Sequence, residues 1–212
     1  MTAADLPPAS GATDRAGTRS RSGFFFAVGA YGMWGFLPAY FIALQPAGPF
    51  EIVALRILFA LVFCALLLTV TRSWSALAAI VRKPRTVLLM GLAGALIFVN
   101  WQTFLIGALT GHVVETALGY FINPVVTVLL GVLVLHERLR PLQWIAMAIS
   151  FVAVIVLAFG YGQVPWIALI LAFSFGLYGL IKNRVGDRVD AISGLTLETT
   201  WLIPVAVVQL IV

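Results

Sequence analysis

Polar side chains recur at helical spacing within the apolar stretch of residues 113–135. Pro124 lies among them and has no N–H, so it leaves the Tyr120 carbonyl without its helical donor and bends the chain. Amide and hydroxyl groups beside a free carbonyl can bind a polar solute, and the same groups can hold two helices together. The spacing therefore predicts a polar helix face that either binds a substrate or packs against a neighbour. Its members, four, three and four residues apart, are Thr116, Tyr120, Asn123 and Thr127.

A second polar stripe occupies the preceding apolar stretch, where Asn100, Thr103, Gly107 and Thr110 are three, four and three residues apart. If both stretches cross a membrane, Asn100 and Asn123 lie near its middle at about 1.5 Å per residue. Two amides at one depth predict a shared polar cavity. The first apolar stretch adds a face where Pro38 removes the donor to the Trp34 carbonyl. The predicted substrate-binding residues are Asn123, Tyr120, Thr127, Asn100, Tyr31 and Trp34.

Three ionisable residues fall within apolar stretches, where an unpaired charge is costly. Arg56 and Glu115 lie near the same predicted membrane face, and an ion pair would let both charges remain there. Either this ion pair or a contact with substrate would explain why Arg56 and Glu115 lie within apolar stretches. Glu198 has no basic residue within its own stretch, so it is predicted either to exchange its proton or a cation during function or only to pack.

Signatures of catalysis are absent from the sequence. It has no HExxH, no GxSxG and no phosphate-binding glycine loop. The two histidines, His112 and His136, fall at opposite ends of one apolar stretch, too far apart to share a metal. The sequence predicts no enzyme, no catalytic residue, no metal site and no cofactor.

The elements that position these residues are apolar segments of membrane-spanning length. Hydrophobic residues make up 62% of the chain and charged residues 10%, against about 45–50% and about 25% in soluble domains. A helix needs about 17 to 25 apolar residues to cross the hydrocarbon layer. The sequence predicts an all-α integral membrane protein with about seven transmembrane helices, at residues 24–44, 52–71, 87–109, 113–135, 142–159, 166–181 and 195–212.

Basic residues fix the predicted orientation. With a cytoplasmic N-terminus, twelve of the thirteen Lys and Arg residues fall on the cytoplasmic side, and Arg56 is the exception. The net charge of +5 is then a topology signal, and no nucleic-acid partner is needed to explain it. The sequence predicts a multi-pass protein of the cytoplasmic (inner) membrane, surrounded by lipid bilayer, with a disordered cytoplasmic tail at residues 1–22.

An internal similarity links two of the predicted spans. The segment AYGMWG at residues 30–35 aligns with SFGLYG at residues 174–179, with glycines in register at Gly32/Gly176 and Gly35/Gly179. The first copy lies in the first predicted span and the second copy in the sixth. Because the two spans are five apart, the two copies would enter the membrane in opposite senses. This indicates an inverted repeat of the kind found in transporters.

From Ala117 the chain reads ALGYFINPVVTVLLGVLVLHERLRPLQWIAM, which resembles the EamA branch of the drug/metabolite transporter superfamily. The segments AYGMWGFLPAYF, NWQTFLIGAL, ETALGYFINP and LAFSFGLYGLIKN resemble its RarD proteins in particular. The resemblance implies ten helices in two inverted five-helix repeats. It places the first repeat at residues 23–160 and a C-terminally truncated second repeat at 161–212, and it assigns Glu137 and Gln143 an architectural role at a helix turn.

The function that these features predict is secondary transport, by an exporter or permease, of small metabolites or drugs by alternating access. Its partner would be a small-molecule substrate of unknown identity, and a homodimer is left open as the assembly. The alternative is a non-transporting membrane subunit or an inactive fragment of a transporter, because the last predicted span runs to Val212.

Overall fold

The structure, a computed structural model, describes residues 11–44, 46–136, 139–162, 164–186 and 188–211. The side chains of residues 11–23, 31, 38, 42, 157, 158 and 161 are outside the description. Every element in this part of the chain is a helix: α1 Gly11–Ala43, α2 Pro49–Val70, α3 Trp74–Val81, α4 Pro84–Leu109, α5 Val113–Val134, α6 Pro141–Tyr161, α7 Trp166–Val185 and α8 Ala191–Ile211.

Six of the described helices are long and apolar enough to cross a membrane, and α6 adds a shorter apolar stretch, Pro141–Val156. The prediction of an all-α membrane protein with about seven spanning helices is therefore confirmed. Hydrophobic length was a sufficient guide because a spanning helix must satisfy all its backbone hydrogen bonds within one apolar segment.

Two segments differ from the prediction. The short helix α3 occupies part of the loop predicted between the second and third spans. The helix α1 begins at Gly11, before the predicted start of the first span at residue 24, and residues 1–10 lie outside the described residues; the tail predicted at residues 1–22 stays a prediction. Once a long helix is nucleated, each further residue adds a hydrogen bond for little cost, which lets polar sequence extend it.

The chain divides into two compact units, residues 1–45, which include α1, and residues 46–212. Within the second unit α5 packs against α7, α2 packs against α8, and α4 contacts both α7 and α8. One apolar cluster joins α5 to α7 through Leu118, Ile122, Val126, Ala168 and Ala172. A further cluster joins α3, α4, α7 and α8 through Ile80, Met90, Ala93, Ile181, Val185 and Leu197.

A three-residue turn connects α4 to α5 and makes them antiparallel. Gly111 adopts a left-handed conformation with φ of 84°, and the His112 N–H donates to the Gly107 carbonyl at 2.9 Å. Glycine follows helix ends in this conformation because it has no Cβ to clash. The turn therefore places the C-terminal end of α4 and the N-terminal end of α5 at the same membrane face.

Side chains cap two later helices. The Asp190 carboxylate accepts the Ser193 backbone N–H at 2.9 Å, which satisfies one of the free donors at the start of α8. Burial raises the pKa of Asp190, but hydrogen bonds from Ser193 and its neighbours lower it by more, so this pKa lies below its ordinary value. At α6, the Gln143 side chain accepts the Arg140 backbone N–H at 2.7 Å. This contact agrees with the architectural role predicted for Gln143, whereas Glu137 lies outside the described residues.

Glycines allow close helix approaches in the second unit. A Cβ at Gly94 would lie 2.9 Å from the Glu198 carbonyl oxygen of α8, and a Cβ at Gly119 would lie 2.9 Å from the Leu171 Cβ of α7. Membrane helices associate through such van der Waals contact because lipid offers no hydrophobic driving force between them. The packing of α4 on α8 and of α5 on α7 therefore depends on these two missing side chains.

Candidate functional site

The polar stripe of α5 divides into a packed part and an uncovered part. Thr116 is buried at 3% exposure and packs near Gly107 of α4. Further along the helix, Tyr120 is 42% exposed, Thr127 is exposed and Asn123 is half-buried. The Thr127 hydroxyl donates to the Asn123 Oδ1 at 3.3 Å. We name Tyr120, Asn123 and Thr127 the α5 polar face.

Pro124 lies within α5, and the helix continues through it to Val134. The proline nitrogen cannot donate to the Tyr120 carbonyl, so that oxygen keeps a free acceptor beside the α5 polar face. The face therefore presents two hydroxyls, an amide and a backbone acceptor within about two turns of a spanning helix. This set can both donate to and accept from a polar solute.

A cation lies beside this face. The guanidinium carbon of Arg56, on α2, lies 3.9 Å from the Trp101 ring centroid on α4. Arg56 also interacts electrostatically with Tyr120 of α5. The Tyr120 ring meets the Phe104 ring edge to face at a centroid distance of 6.0 Å, which fixes its orientation. Three helices thus bring one cation and three aromatic rings together at the α5 polar face.

Glu115 forms a buried hydrogen bond to α7. Its carboxylate is 5% exposed and its Oε1 accepts the Ile167 backbone N–H of α7 at 2.7 Å. A carboxylate at a helix N-terminus satisfies free donors and favours the helix dipole. In the described structure Arg56 stacks on Trp101 while Glu115 caps α7, and the predicted Arg56–Glu115 ion pair stays a prediction.

Asn100 is 3% exposed and faces α7. Its amide nitrogen donates to the Leu171 carbonyl at 3.0 Å and to the Ser174 hydroxyl at 3.1 Å. Both N–H donors of the amide are thus engaged in linking α4 to α7. These donors are bonded to α7 and do not line a cavity shared with Asn123. The substrate role of Asn100 stays a prediction.

Glu198 lies in a buried cluster between α7 and α8. Its Oε1 lies 2.8 Å from the Lys182 Nζ, and its Oε2 accepts the Tyr178 hydroxyl at 3.3 Å. The Glu198 side chain is 2% exposed and the Lys182 side chain 33%. Lys182 was not predicted as a partner because the predicted span ends at Ile181, whereas α7 continues to Val185.

The two predicted residues of α1 belong to the first unit. The Tyr31 side chain lies outside the described residues, and Trp34 is 57% exposed on α1. Their roles in substrate binding stay predictions.

A pair of amides was also missed. Gln209 of α8 donates to the Gln102 Oε1 of α4 at 2.8 Å, and the Gln102 Nε2 and Gln209 Oε1 are buried with no recorded partner in the described part of the chain. Gln102 stands directly beside the predicted α4 stripe, but only the packing of α4 on α8 reveals its partner. In the same described residues, no group of three or more His, Cys, Asp or Glu side chains could hold a metal ion.

The spanning helices, with a polar face and charged clusters among them, define a polytopic helical membrane protein. The EamA-like transporter family matches residues 21–159, and the chain belongs to that family.

The chain is similar to several curated proteins. It is 46% identical over 188 residues to the protein RarD of Streptomyces exfoliatus, covering 89% of this chain and 59% of that protein. It is 37% identical to the protein RarD of Escherichia coli, with 91% of this chain and 64% of the relative covered. An uncharacterized transporter of Vibrio cholerae is 39% identical, with 91% and 63% covered. The chain thus spans less than two thirds of these relatives, and no solved structure matches it.

Proposed function

We propose that the protein is a secondary transporter that moves a small molecule across the cytoplasmic membrane by alternating access. Membership of the EamA-like transporter family supports transport as the activity. The observation that carries the proposal is the α5 polar face, which is uncovered within a spanning helix and interrupted by Pro124. Polar groups facing lipid are costly, so we place this face along a substrate cavity.

The proposed substrate contacts are Tyr120, Asn123 and Thr127. Asn100 is left out of them because its amide donors hold α7. Glu198 keeps its predicted coupling role in this proposal. Its carboxylate binds Lys182 and Tyr178 in the described state, and it would exchange these partners for a proton or cation in the opposite state.

We also propose that the chain is organised as an inverted repeat. The first repeat would comprise the spans from α1 to α6, without the short α3, and the second would begin with α7. The similarity of residues 30–35 to residues 174–179 supports it.

We further propose that the N-terminus is cytoplasmic. Ala47→Cys, in the loop before α2, should react with an impermeant maleimide in intact cells, whereas Ser75→Cys, on α3, should react only after the cells are permeabilised. The distribution of Lys and Arg is the physical reason. Native Cys64 is buried, so the unsubstituted protein is the blank. The reverse labelling pattern would contradict the orientation.

The substrate site is tested by Asn123→Ala. A buried polar group of the substrate left without its partner costs about 1 to 3 kcal/mol, so the apparent affinity should fall about five- to hundredfold. The stability of the protein should fall by only about 0.6 to 2 kcal/mol, as for single polar contacts between membrane helices. Uptake of a metabolite panel into vesicles, at matched protein levels, measures the first effect, and thermal unfolding measures the second.

Asn100→Ala is the matched control, because it removes the same amide from a position that holds α7. It should lower thermal stability by a similar amount and leave the apparent affinity unchanged. Transport unaffected by Asn123→Ala would remove the α5 polar face from the substrate site.

A further inference from the structure

Arg56 lies off the packed face of its helix. On α2 the side chains of Val53, Ala54 and Ile57 are fully buried, whereas Arg56 is exposed. It stacks on the Trp101 ring of α4 and interacts electrostatically with Tyr120 of α5. The guanidinium therefore lies against α4, near enough to Tyr120 of the α5 polar face to interact with it electrostatically.

The three side chains of this group lie at one depth. Arg56 is seven residues from the start of α2, Trp101 eight from the end of α4 and Tyr120 seven from the start of α5. At about 1.5 Å per residue, each is about 10 to 12 Å inside its helix end. The α4–α5 turn puts the last two at the same membrane face. Arg56 therefore stands well inside the spanning region, beside the residues proposed to contact substrate.

The charge of Arg56 is only partly compensated. Within the part of the chain that the structure describes, the recorded ion pair joins Lys182 to Glu198, and Arg56 has an aromatic ring as its counterpart. A ring contact offsets only part of the cost of a cation at such depth. It also uses one face of the guanidinium and leaves the N–H groups at its edge able to donate.

A guanidinium edge suits a particular ligand. Its N–H donors form a planar fork that matches the two oxygens of a carboxylate. A single cation balances a monoanion, whereas a phosphate dianion would keep excess negative charge in a site with one recorded cation. The Tyr120 hydroxyl and the Asn123 amide, which lie about one turn apart on α5, can then form hydrogen bonds with uncharged polar groups of the same molecule.

We propose that Arg56 is the anion-binding residue of the substrate site and that the substrate is a small monocarboxylate. Trp101 is a positioning residue that holds the guanidinium plane, and Phe104 positions the Tyr120 ring. This inference rests on the proposed transport function and adds the substrate class.

The test compares carboxylates with their uncharged amides, using propionate with propionamide and benzoate with benzamide as probes. The full protein in proteoliposomes should bind and move each carboxylate with an affinity about ten- to hundredfold higher than its amide, the range for a hydrogen-bonded charge. Arg56→Gln should abolish this preference while leaving amide affinity within about twofold. Arg56→Lys should keep part of it, because a point charge remains but the planar fork is lost.

Arg82→Gln, in the segment between α3 and α4, is the control for general loss of positive charge and should leave the preference intact. If Arg56→Gln does not fold, the unsubstituted protein and Arg56→Lys still give the comparison. Equal affinity for amides and carboxylates, with both dependent on Asn123, would overturn the carboxylate assignment and leave the transport proposal standing. No binding or transport of any probe would also overturn it. Transport that is independent of both Arg56 and Asn123 would instead contradict the proposed site itself.

Discussion

Lys182→Met should lower the free energy of unfolding by about 3 to 5 kcal/mol, because it leaves the Glu198 carboxylate buried without its cation. The Glu198 side chain is 2% exposed, so water cannot replace the ammonium that lies 2.8 Å from its Oε1. The Tyr178 hydroxyl remains as a hydrogen-bond donor, but a neutral donor compensates a charge only in part. Thermal or denaturant unfolding of the purified protein in detergent measures the loss.

The reverse substitution should cost less. In Glu198→Gln the stranded group is Lys182, whose side chain is 33% exposed and can reach water along its flexible stem. Lys182→Met combined with Glu198→Met should recover most of the stability, because replacing both charges removes their desolvation cost together. A Lys182→Met protein as stable as the unsubstituted one would show that the pair does not stabilise this part of the bundle.

Gly119→Leu should prevent α5 from packing on α7 and remove most of the folded protein. A Cβ at this position would lie 2.9 Å from the Leu171 Cβ and 3.1 Å from the Ala168 carbonyl oxygen, which belongs to the α7 backbone. Overpacking typically costs about 1 to 3 kcal/mol, and here a backbone atom cannot rotate away. We therefore expect a cost of about 3 kcal/mol, at the upper end of that range. The yield of monodisperse protein on size-exclusion chromatography measures the effect.

Gly179→Leu is the matched control, because a Cβ at Gly179 of α7 meets nothing within 4 Å. It should change the yield little, since replacing an uncrowded helical glycine by leucine gains helix propensity. Equal losses in the two variants would contradict the close approach of α5 and α7.

The spanning helices could be predicted because hydrophobic length carries most of the information. The predicted segments at residues 87–109 and 113–135 match α4 and α5 to within a few residues. The helix α3 was missed because its eight residues are too few to span a membrane and lie among basic residues. Its stability comes from packing, as Ile80 joins a cluster with α4, α7 and α8.

The candidate site was only partly predictable. Helical periodicity placed Tyr120, Asn123 and Thr127 on one face, because residues three and four apart share a side of any helix. Depth along the helix also suggested that Arg56 and Glu115 could meet. Depth does not define how a helix is rotated about its axis, and the structure directs Arg56 to Trp101 and Glu115 to α7.

The way in which α7 is held limits the movements open to the protein. Glu115 ties its first turn to α5, Asn100 ties its middle to α4, and Gly119 brings α5 against its backbone. A movement that slides α7 past these two helices has to break a buried charged hydrogen bond and two amide hydrogen bonds together. A movement that keeps those contacts carries α4, α5 and α7 as one rigid body, with a helix of the second proposed repeat locked into the first.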